Sequence, residues 1–461
     1  MRTRALLAVV MVLLVASPAE ATDLLEAWQA AQKSGLEGLA ARQAKQAGDA
    51  RSVQASTLWN TTVHVSGTAG IANSTTRTTG AQFSGPGFGS SNNIGFNTSV
   101  EAGLSDRLAL QVRKPLVSGD RAAQQRSLEL SAQAAGDEWN DAQQFIMLRI
   151  AERYFDLAQA DEALRVLRRQ QAAVEMALKE ARDRFTLGAT PVTDAHEAAA
   201  RAGAVKAQVL AAETQVELAR MALADATGLD PKRIEALVPA RAVAPASGET
   251  LERWIADALA RNPRLLAQAK AVDVAGEEAS RHALKASTAV DLVAQLGREH
   301  INGRGDFGSA SNLTSGALVG VQISVPLYTG GYRNAKQSEA LSLAGKARTE
   351  WEQARQQVTQ QTRAAWLNLT VGFGRLAALK QNLEAARLRL DATRLARQVG
   401  DRTTLDLLNA ENDAAAAELA VVQAHVSLLL DRMRLAALAG GLDEAVLHTI
   451  NASLDRNPES R

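Results

Sequence analysis

Two stretches of the sequence, 118–186 and 329–398, run without a proline or a clear helix breaker. At 1.5 Å of rise per residue, a helix of that length spans roughly 100 Å, far more than the diameter of a globular domain. A chain built around two such helices cannot be the roughly three ordinary domains that its length alone would permit. Composition points the same way. Of 461 residues 46% are hydrophobic, but only 8 Phe, 3 Tyr and 6 Trp are among them, so the apolar share is mainly Ala, Leu and Val. Such side chains suit narrow contact stripes better than several aromatic-rich cores. The stripes run through Phe145, Leu148, Tyr154, Phe155, Leu164 and Leu167, and through Trp366, Leu369, Phe373, Leu376 and Leu379, with charged residues on both flanks. A helix in the wall of a hollow cylinder needs that pattern, because it is wet on two faces and touches neighbours along its sides; a solid coiled coil is the alternative. Gly136, Gly372 and Gly374 are expected to weaken or bend these helices.

The two stretches belong to a tandem duplication. Lys114-Pro115-Leu116-Val117-Ser118-Gly119 matches Val325-Pro326-Leu327-Tyr328-Thr329-Gly330, and with one slip Arg182 then falls on Arg394, Gly188 on Gly400, Asp194 on Asp406 and Gly228 on Gly440. The first repeat is expected over 22–240, with strands at about 58–72 and 94–114, a long helix over 118–186 and a return helix over 192–227. The second is expected over 251–450, with strands at about 288–301 and 313–327, a long helix over 329–398 and a return helix over 404–438. A Pro- and Ala-rich linker, 241–250, joins them, and 451–461 is a tail.

The strands are read from strict alternation. Trp59, Val63, Val65, Ala69 and Ile71 occupy odd positions and Asn60, Thr62, His64, Ser66 and Thr68 even ones; in the partner run Ile94, Phe96, Val100, Leu104, Leu108, Leu110 and Val112 alternate with polar residues. The second repeat does the same with Val290, Leu292, Ala294 and Leu296, then with Leu313, Ala317, Val319, Val321, Ile323, Val325 and Leu327. The Gly-, Ser- and Thr-rich segments 73–93 and 302–312 read as hairpin loops. One face of a soluble sandwich would alternate equally well. The length of the strands, however, matches membrane-spanning strands of about nine to eleven residues. Four strands do not close a barrel. Two chains would give an eight-stranded barrel filled by its own side chains, and three a twelve-stranded one with room for a pore.

An exported protein is expected. Arg2 and Arg4 precede the apolar run from Ala5 to Ala16, and Ala19-Glu20-Ala21 is a small-x-small cleavage signature, so 1–21 reads as a signal peptide. With 51 basic against 50 acidic residues and no Cys, the chain lacks the basic footprint of a nucleic-acid binder and has no means of making disulfides, thiolate metal sites, a Cys nucleophile or an acylated N-terminal Cys. His64, His196, His282, His300, His425 and His448 show no metal-ligand spacing, and Gly85-Pro86-Gly87 and Gly303-Arg304-Gly305 lack the strand-loop-helix context of a phosphate cradle. No catalytic residue, metal or cofactor is expected. An exported structural coiled-coil or envelope protein without transport activity is the alternative reading.

Each long helix ends in a short turn, Leu187-Gly188-Ala189-Thr190-Pro191-Val192-Thr193-Asp194 or Val399-Gly400-Asp401-Arg402-Thr403-Thr404-Leu405-Asp406. Gly supplies a left-handed cap, and Pro or Thr with Asp opens the next helix. Beyond capping, Glu197 follows Asp194 by three and Asn409 follows Asp406 by three, on one helical face, so that an oligomer would carry polar rings at this end.

The leader, the duplicated strand pairs with Pro-Leu-x-x-Gly at each strand-to-helix junction (Pro115 to Gly119, Pro326 to Gly330), Arg184-Phe185-x-x-Gly188 to Thr193-Asp194, and Val399-Gly400-x-Arg402-Thr403-x-x-Asp406-Leu407-Leu408 together resemble TolC-type outer-membrane efflux and secretion proteins. The resemblance covers nearly the whole mature chain. It implies a homotrimeric channel-tunnel, mainly α with a shared twelve-stranded membrane β-barrel, in the outer membrane of a Gram-negative bacterium and reaching into the periplasm. It implies lipid around the barrel, a periplasmic adaptor touching the tips at Gly188 and Gly400, and an inner-membrane transporter of RND or ABC type. It also implies a gate at the periplasmic end. Asp406 matches the first carboxylate of the family's selectivity ring, and the second position is Asn409, with Glu197 nearby. Arg402 matches the Arg that locks the closed entrance, Asp194 and Thr193 match its partners, and Arg397 stands where the family has the Tyr of that lock.

Overall fold

The computed structural model describes residues 23–87, 89–234, 236–239, 250–283, 287–306 and 308–454. The expected leader, nearly all of the linker and most of the tail lie outside the described residues. The same order of elements occurs twice. Helices α1 (Leu24–Ser34) and α2 (Leu36–Thr57) lead to strands β1 (Thr62–Gly85) and β2 (Gly89–Ser118), then to α3 (Gly119–Thr186) and α4 (Val192–Thr227). Helices α5 (Leu251–Arg261) and α6 (Pro263–Arg281), strands β3 (Ala289–Gly305) and β4 (Gly308–Ser324), and helices α7 (Tyr332–Gln398) and α8 (Thr404–Leu438) repeat the pattern; α9 (Glu444–Asn451) follows. Two compact units result, and each takes parts of both repeats. One comprises the chain up to Ala47, Ala135–Ala267 and the chain from Trp351; the other comprises Gly48–Ala134 and Gln268–Glu350.

The second unit holds one antiparallel sheet in the order β1-β2-β3-β4. Register turns the sequence alternation into two faces. Val63, Val112, Ala294 and Val319 lie in one cross-strand row and Val65, Leu110, Leu296 and Ala317 in the next. On the opposite face His64, Gln111, Gln295 and Leu318 form a row, and Thr68, Arg107, Glu299 and Thr314 another. Cross-strand pairing stitches the polar face: Arg107 meets Glu299 at 2.7 Å, and Arg113 pairs with the buried Asp291. The aliphatic face is bare, with Val65 69%, Leu296 56% and Val319 75% exposed. So extensive an apolar surface does not face water in a stable protein without a partner.

The strands differ from their expected limits. β1 continues to Gly85 and β2 starts at Gly89, so most of 73–93 is ladder and not loop; likewise β3 and β4 reach Gly305 and Gly308. Backbone pairing needs no apolar side chain, and the Thr-rich composition of 73–93 suits a strand as well as a turn. What obscured the alternation there is a set of register shifts between Ala72 and Ser74 and between Thr78 and Phe83, each of which moves the following side chains to the other face. At the lower limits, α2 runs to Thr57 and β1 begins only at Thr62, leaving Trp59 in the turn, where its indole donates to Gln125 Oε1 at 2.8 Å. β4 stops at Ser324, short of Val325 and Leu327, because Pro326 has no N–H for the ladder. Pro115 instead stays inside β2 beside a register irregularity between Pro115 and Val117. α7 begins at Tyr332, since Gly330 and Gly331 hold left-handed conformations with φ of 61° and 82°.

The core of the first unit gathers α1, α3, α4, α8 and α9. Leu24, Trp28, Ile150, Tyr154, Phe155, Leu223, Met433 and Leu447 are sealed in it. Tyr154 and Phe155 pack edge to face with ring centres 5.5 Å apart, and the Tyr154 hydroxyl accepts the buried amide of Leu237 at 2.8 Å. The short helix α9 was not expected, and it ties the end of the second repeat to the beginning of the first: Asn451 Oδ1 accepts from Leu24 N at 3.2 Å and its Nδ2 donates to Asp23 at 2.9 Å. α7 runs unbroken through Gly372 and Gly374. At Gly372 a Cβ would sit 3.4 Å from Leu428, an ordinary contact distance, so α7 and α8 approach there no closer than packed side chains allow.

Next to that approach, His425 is 8% exposed, and its Nε2 has no hydrogen-bond partner among the described residues. Burial, with a smaller push from Lys380, lowers its pKa from 6.5 to about 4. The folded state thus holds the neutral ring. Its stability is complete above pH 6.5 and falls as the pH drops toward 4, because the unfolded chain takes up the proton first. Thermal melting of the purified protein across that interval should show the loss, and His425→Leu should flatten it.

The helical tips as candidate functional site

Both turns at the ends of α3 and α7 are built alike. Ala189 N donates to Arg184 O at 2.8 Å and Gly188 N to Phe185 O at 2.9 Å; Asp401 N donates to Ala396 O at 2.9 Å and Gly400 N to Arg397 O at 3.1 Å. This double bond pattern closes a helix through a left-handed residue, and φ is 72° at Gly188 and 86° at Gly400. The starts of the return helices differ. α8 opens with a reciprocal capping box, in which Asp406 N donates to Thr403 Oγ1 at 3.1 Å and Thr403 N to Asp406 Oδ2 at 3.0 Å. α4 opens on Pro191 without a side-chain cap. The bonds from the Thr403 backbone and hydroxyl hold the Asp406 carboxyl below its usual range, with Arg402 adding a smaller attraction.

Thr193, Glu197, Arg402 and Asn409 are exposed, and Asp194 and Asp406 are half-buried. Within one chain no ion pair joins Arg402 to Asp194 among the described residues. Arg397 does have a carboxylate partner: it pairs with Glu180 of α3 and is only 12% exposed. That contact opens a series of ion pairs along the helices. Glu418 of α8 receives Arg169 of α3 at 2.9 Å and Arg387 of α7 at 3.6 Å; Glu411 receives Arg394 at 2.5 Å and Asp413 receives Arg389 at 2.9 Å. Gln170 donates to Asn412 at 3.3 Å between them. Singly, such pairs are worth roughly 0.2–1 kcal/mol. Together they fix which faces of α3, α7 and α8 meet, beside small contacts of Val174, Ala177, Ala198 and Leu408 and of Leu390, Ala410 and Ala414. Sequence reading missed the series, because an Arg and a Glu on different helices announce nothing until the faces are known; the cluster Arg387, Arg389, Arg394 and Arg397 was the available signal.

The arrangement is that of paired helical hairpins with polar tips, joined in sequence to an amphipathic sheet. Comparisons with known proteins agree on the class. The sequence profile described as Outer membrane efflux protein matches residues 254–441. The outer membrane protein TolC of Vibrio cholerae is 30% identical over 360 residues, which is 77% of this chain and 80% of that protein. The alkaline protease secretion protein AprF of Pseudomonas aeruginosa is 26% identical, over 75% of this chain and 71% of its own length. Among solved structures, the CmeC outer membrane channel of Campylobacter jejuni superimposes with a TM-score of 0.73 at 14% identity, covering 95% of this chain and 90% of that one. VceC of Vibrio cholerae gives 0.69 at 19% identity, covering 91% and 97%.

The chain is therefore an outer-membrane channel protein of the efflux and type I secretion class. It belongs to the TolC-type outer membrane efflux protein family. Channels of this type work with adaptor proteins and inner-membrane transporters, and the relatives are channel proteins, not enzymes.

Proposed function

We propose that three copies of the chain close a twelve-stranded barrel in the outer membrane, and that the long helices continue it as a tunnel serving as exit duct for an efflux or type I secretion assembly. One observation carries the reading: a four-stranded sheet with a bare aliphatic face and two unpaired edges, β1 and β4. In hydrocarbon every backbone N–H and C=O needs a partner, so open edges demand closure by further copies, while the aliphatic face contacts outer-membrane lipid. β1 and β4 run antiparallel, so β4 of one copy suits β1 of the next.

The tips form the closed periplasmic entrance in this reading. Arg402, with no ion pair among the described residues, reaches Asp194 and Thr193 of a neighbouring tip, Arg397 anchors α7 through Glu180, and Asp406 lines the constriction with Asn409. Glu197 adds charge on the first repeat's side, and Gly188 and Gly400 shape the surface presented to the adaptor. Gly119, Pro326 and Gly330 mark the passage from strand to helix, with Pro115 close by within β2.

Epitopes inserted at the hairpin tips, after Pro86 and after Asp306, test the orientation. Intact cells should stain, and the unheated protein should migrate as a trimer that heating dissociates. Staining only after permeabilisation, or a folded detergent-free monomer, would overturn the reading.

A further inference from the structure

A second polar constellation lies in the sheet-bearing unit, where β2 passes into α3, α6 into β3, and β4 into α7. There a cleft of about 520 Å³ is lined by Arg113, Arg121, Arg281, His282 and Arg333, with Asp120 the acidic residue among them. Such a density of guanidinium groups is costly unless something offsets it, and the partners can be followed one by one. Asp120 takes Arg281 at 2.7 Å. Glu278 takes His282 at 3.2 Å and a second nitrogen of Arg281 at 3.4 Å. Arg113 rests on Asp291, itself 1% exposed and thus committed beneath it. Arg121 donates to the carbonyl of Leu58 at 2.8 Å, a contact that leaves its charge uncompensated. Arg333 forms no ion pair among the described residues.

Two positive charges, on Arg121 and Arg333, therefore line one cleft with no carboxylate partner of their own among the described residues. The field there is strengthened by the first turn of α7, to which Arg333 belongs: the opening amides of a helix have no intrahelical partner and carry a partial positive charge. Arg113 adds a partly exposed guanidinium to the wall, above the Asp291 that it covers. Planar guanidinium forks arrayed around a volume of this size match an anion with several oxygens disposed in three dimensions better than a flat carboxylate.

We propose that this junction cleft binds a phosphate group, held by Arg121 and Arg333 with Arg113 and Arg281 completing the wall. The group has two possible sources. Arg113 lies on the polar face of the sheet with Gln111 and Arg107, which suits a phosphate compound arriving through water. The neighbouring exposed Leu327, Tyr328 and Tyr332 suit the headgroup of a phospholipid at the edge of a bilayer.

The test uses the full-length protein purified in detergent, with phosphorus NMR line broadening of inorganic phosphate as one arm and native mass spectrometry of co-purified phosphatidylglycerol as the other. Arg333→Gln is the variant of choice, because Arg333 supports no internal ion pair and its loss should leave the fold intact by circular dichroism. Losing this charge-assisted contact should weaken phosphate binding by about tenfold, and Arg333→Lys should restore part of it. Binding of inorganic phosphate that falls in Arg333→Gln supports the cleft with a water-borne ligand. Phosphatidylglycerol retained by the wild type and lost by the variant supports it with a lipid headgroup. Binding of neither probe, or binding that Arg333→Gln leaves unchanged, overturns the proposal.

Discussion

Single channels of the double variant Arg397→Ala, Arg402→Ser should conduct severalfold more current in planar bilayers than the wild type. Arg397 is held against Glu180 in a nearly enclosed position, though Glu180 itself is open to solvent, and such a pair contributes up to about 1 kcal/mol. Arg402 forms no ion pair within the chain among the described residues, beyond a small attraction to Asp406, so in the proposed gate its main contribution comes from the neighbouring tip. A closed entrance held by few contacts is sensitive to losing two of them: a shift of about 2 kcal/mol changes an open-to-closed ratio roughly thirtyfold. Arg402→Ser alone should give a smaller rise, and Asp406→Ala should lower cation selectivity while also weakening the first turn of α8, whose cap it supplies. An intact trimer whose conductance is unchanged in the double variant would make Arg397 a packing contact and Arg402 a surface residue, and the gate would have to be sought elsewhere.

The largest stability effect is expected at Gly440. Its φ is 68°, and a Cβ there would lie 2.2 Å from the carbonyl oxygen of Arg261 at the end of α5. The left-handed backbone alone disfavours Ala by roughly 1–2 kcal/mol, and with the collision the total should be about 3 kcal/mol or more. The equivalent Gly228, with φ of 73°, would place its Cβ 2.5 Å from Ser34 Oγ and 2.9 Å from Ser34 Cβ. The two sites therefore respond differently to a second change. Ser34→Gly should recover part of the stability lost in Gly228→Ala, whereas the obstacle at Gly440 is backbone, and no neighbouring truncation removes it. Denaturant unfolding of the four variants decides the matter; equal losses at the two glycines, or rescue of neither, would show that the close approaches are not what the backbone conformation protects.

The long helices, the return helices and the two tip turns were legible because each is announced locally, by apolar spacing, by Gly in a left-handed cap and by Pro or Thr-x-x-Asp at the next start. The two-faced strands were legible where alternation was unbroken, as from Val63 to Ile71. It failed across 73–93, where bulges change the phase, and at Trp59, which alternates correctly but sits in a turn. The site was legible only in part. Asp406 and Thr403 announce their cap by spacing, but the burial of Arg397 against Glu180, the service of one Glu418 to two arginines and the gathering of five basic side chains at the strand-to-helix junction depend on which distant faces meet. Those meetings are set by packing across separations of more than a hundred residues, and composition averaged along the chain, with a formal charge of +1, conceals them.

The shared core of α1 and α9 also governs the order of events during export. The segment that emerges first from the translocation machinery contains Leu24, Trp28 and Ala31, and the core that takes them in also includes Leu447 and Ile450, which emerge late. Until the final helix has crossed, α1 can close only upon α3 and α4, with the side later covered by α9 still open. The nascent protein thus keeps part of its first core uncovered until the last helix arrives. Its maturation depends on whatever shields that surface in transit, and loss of α9 would be felt at α1, where Asn451 holds Leu24 and Asp23.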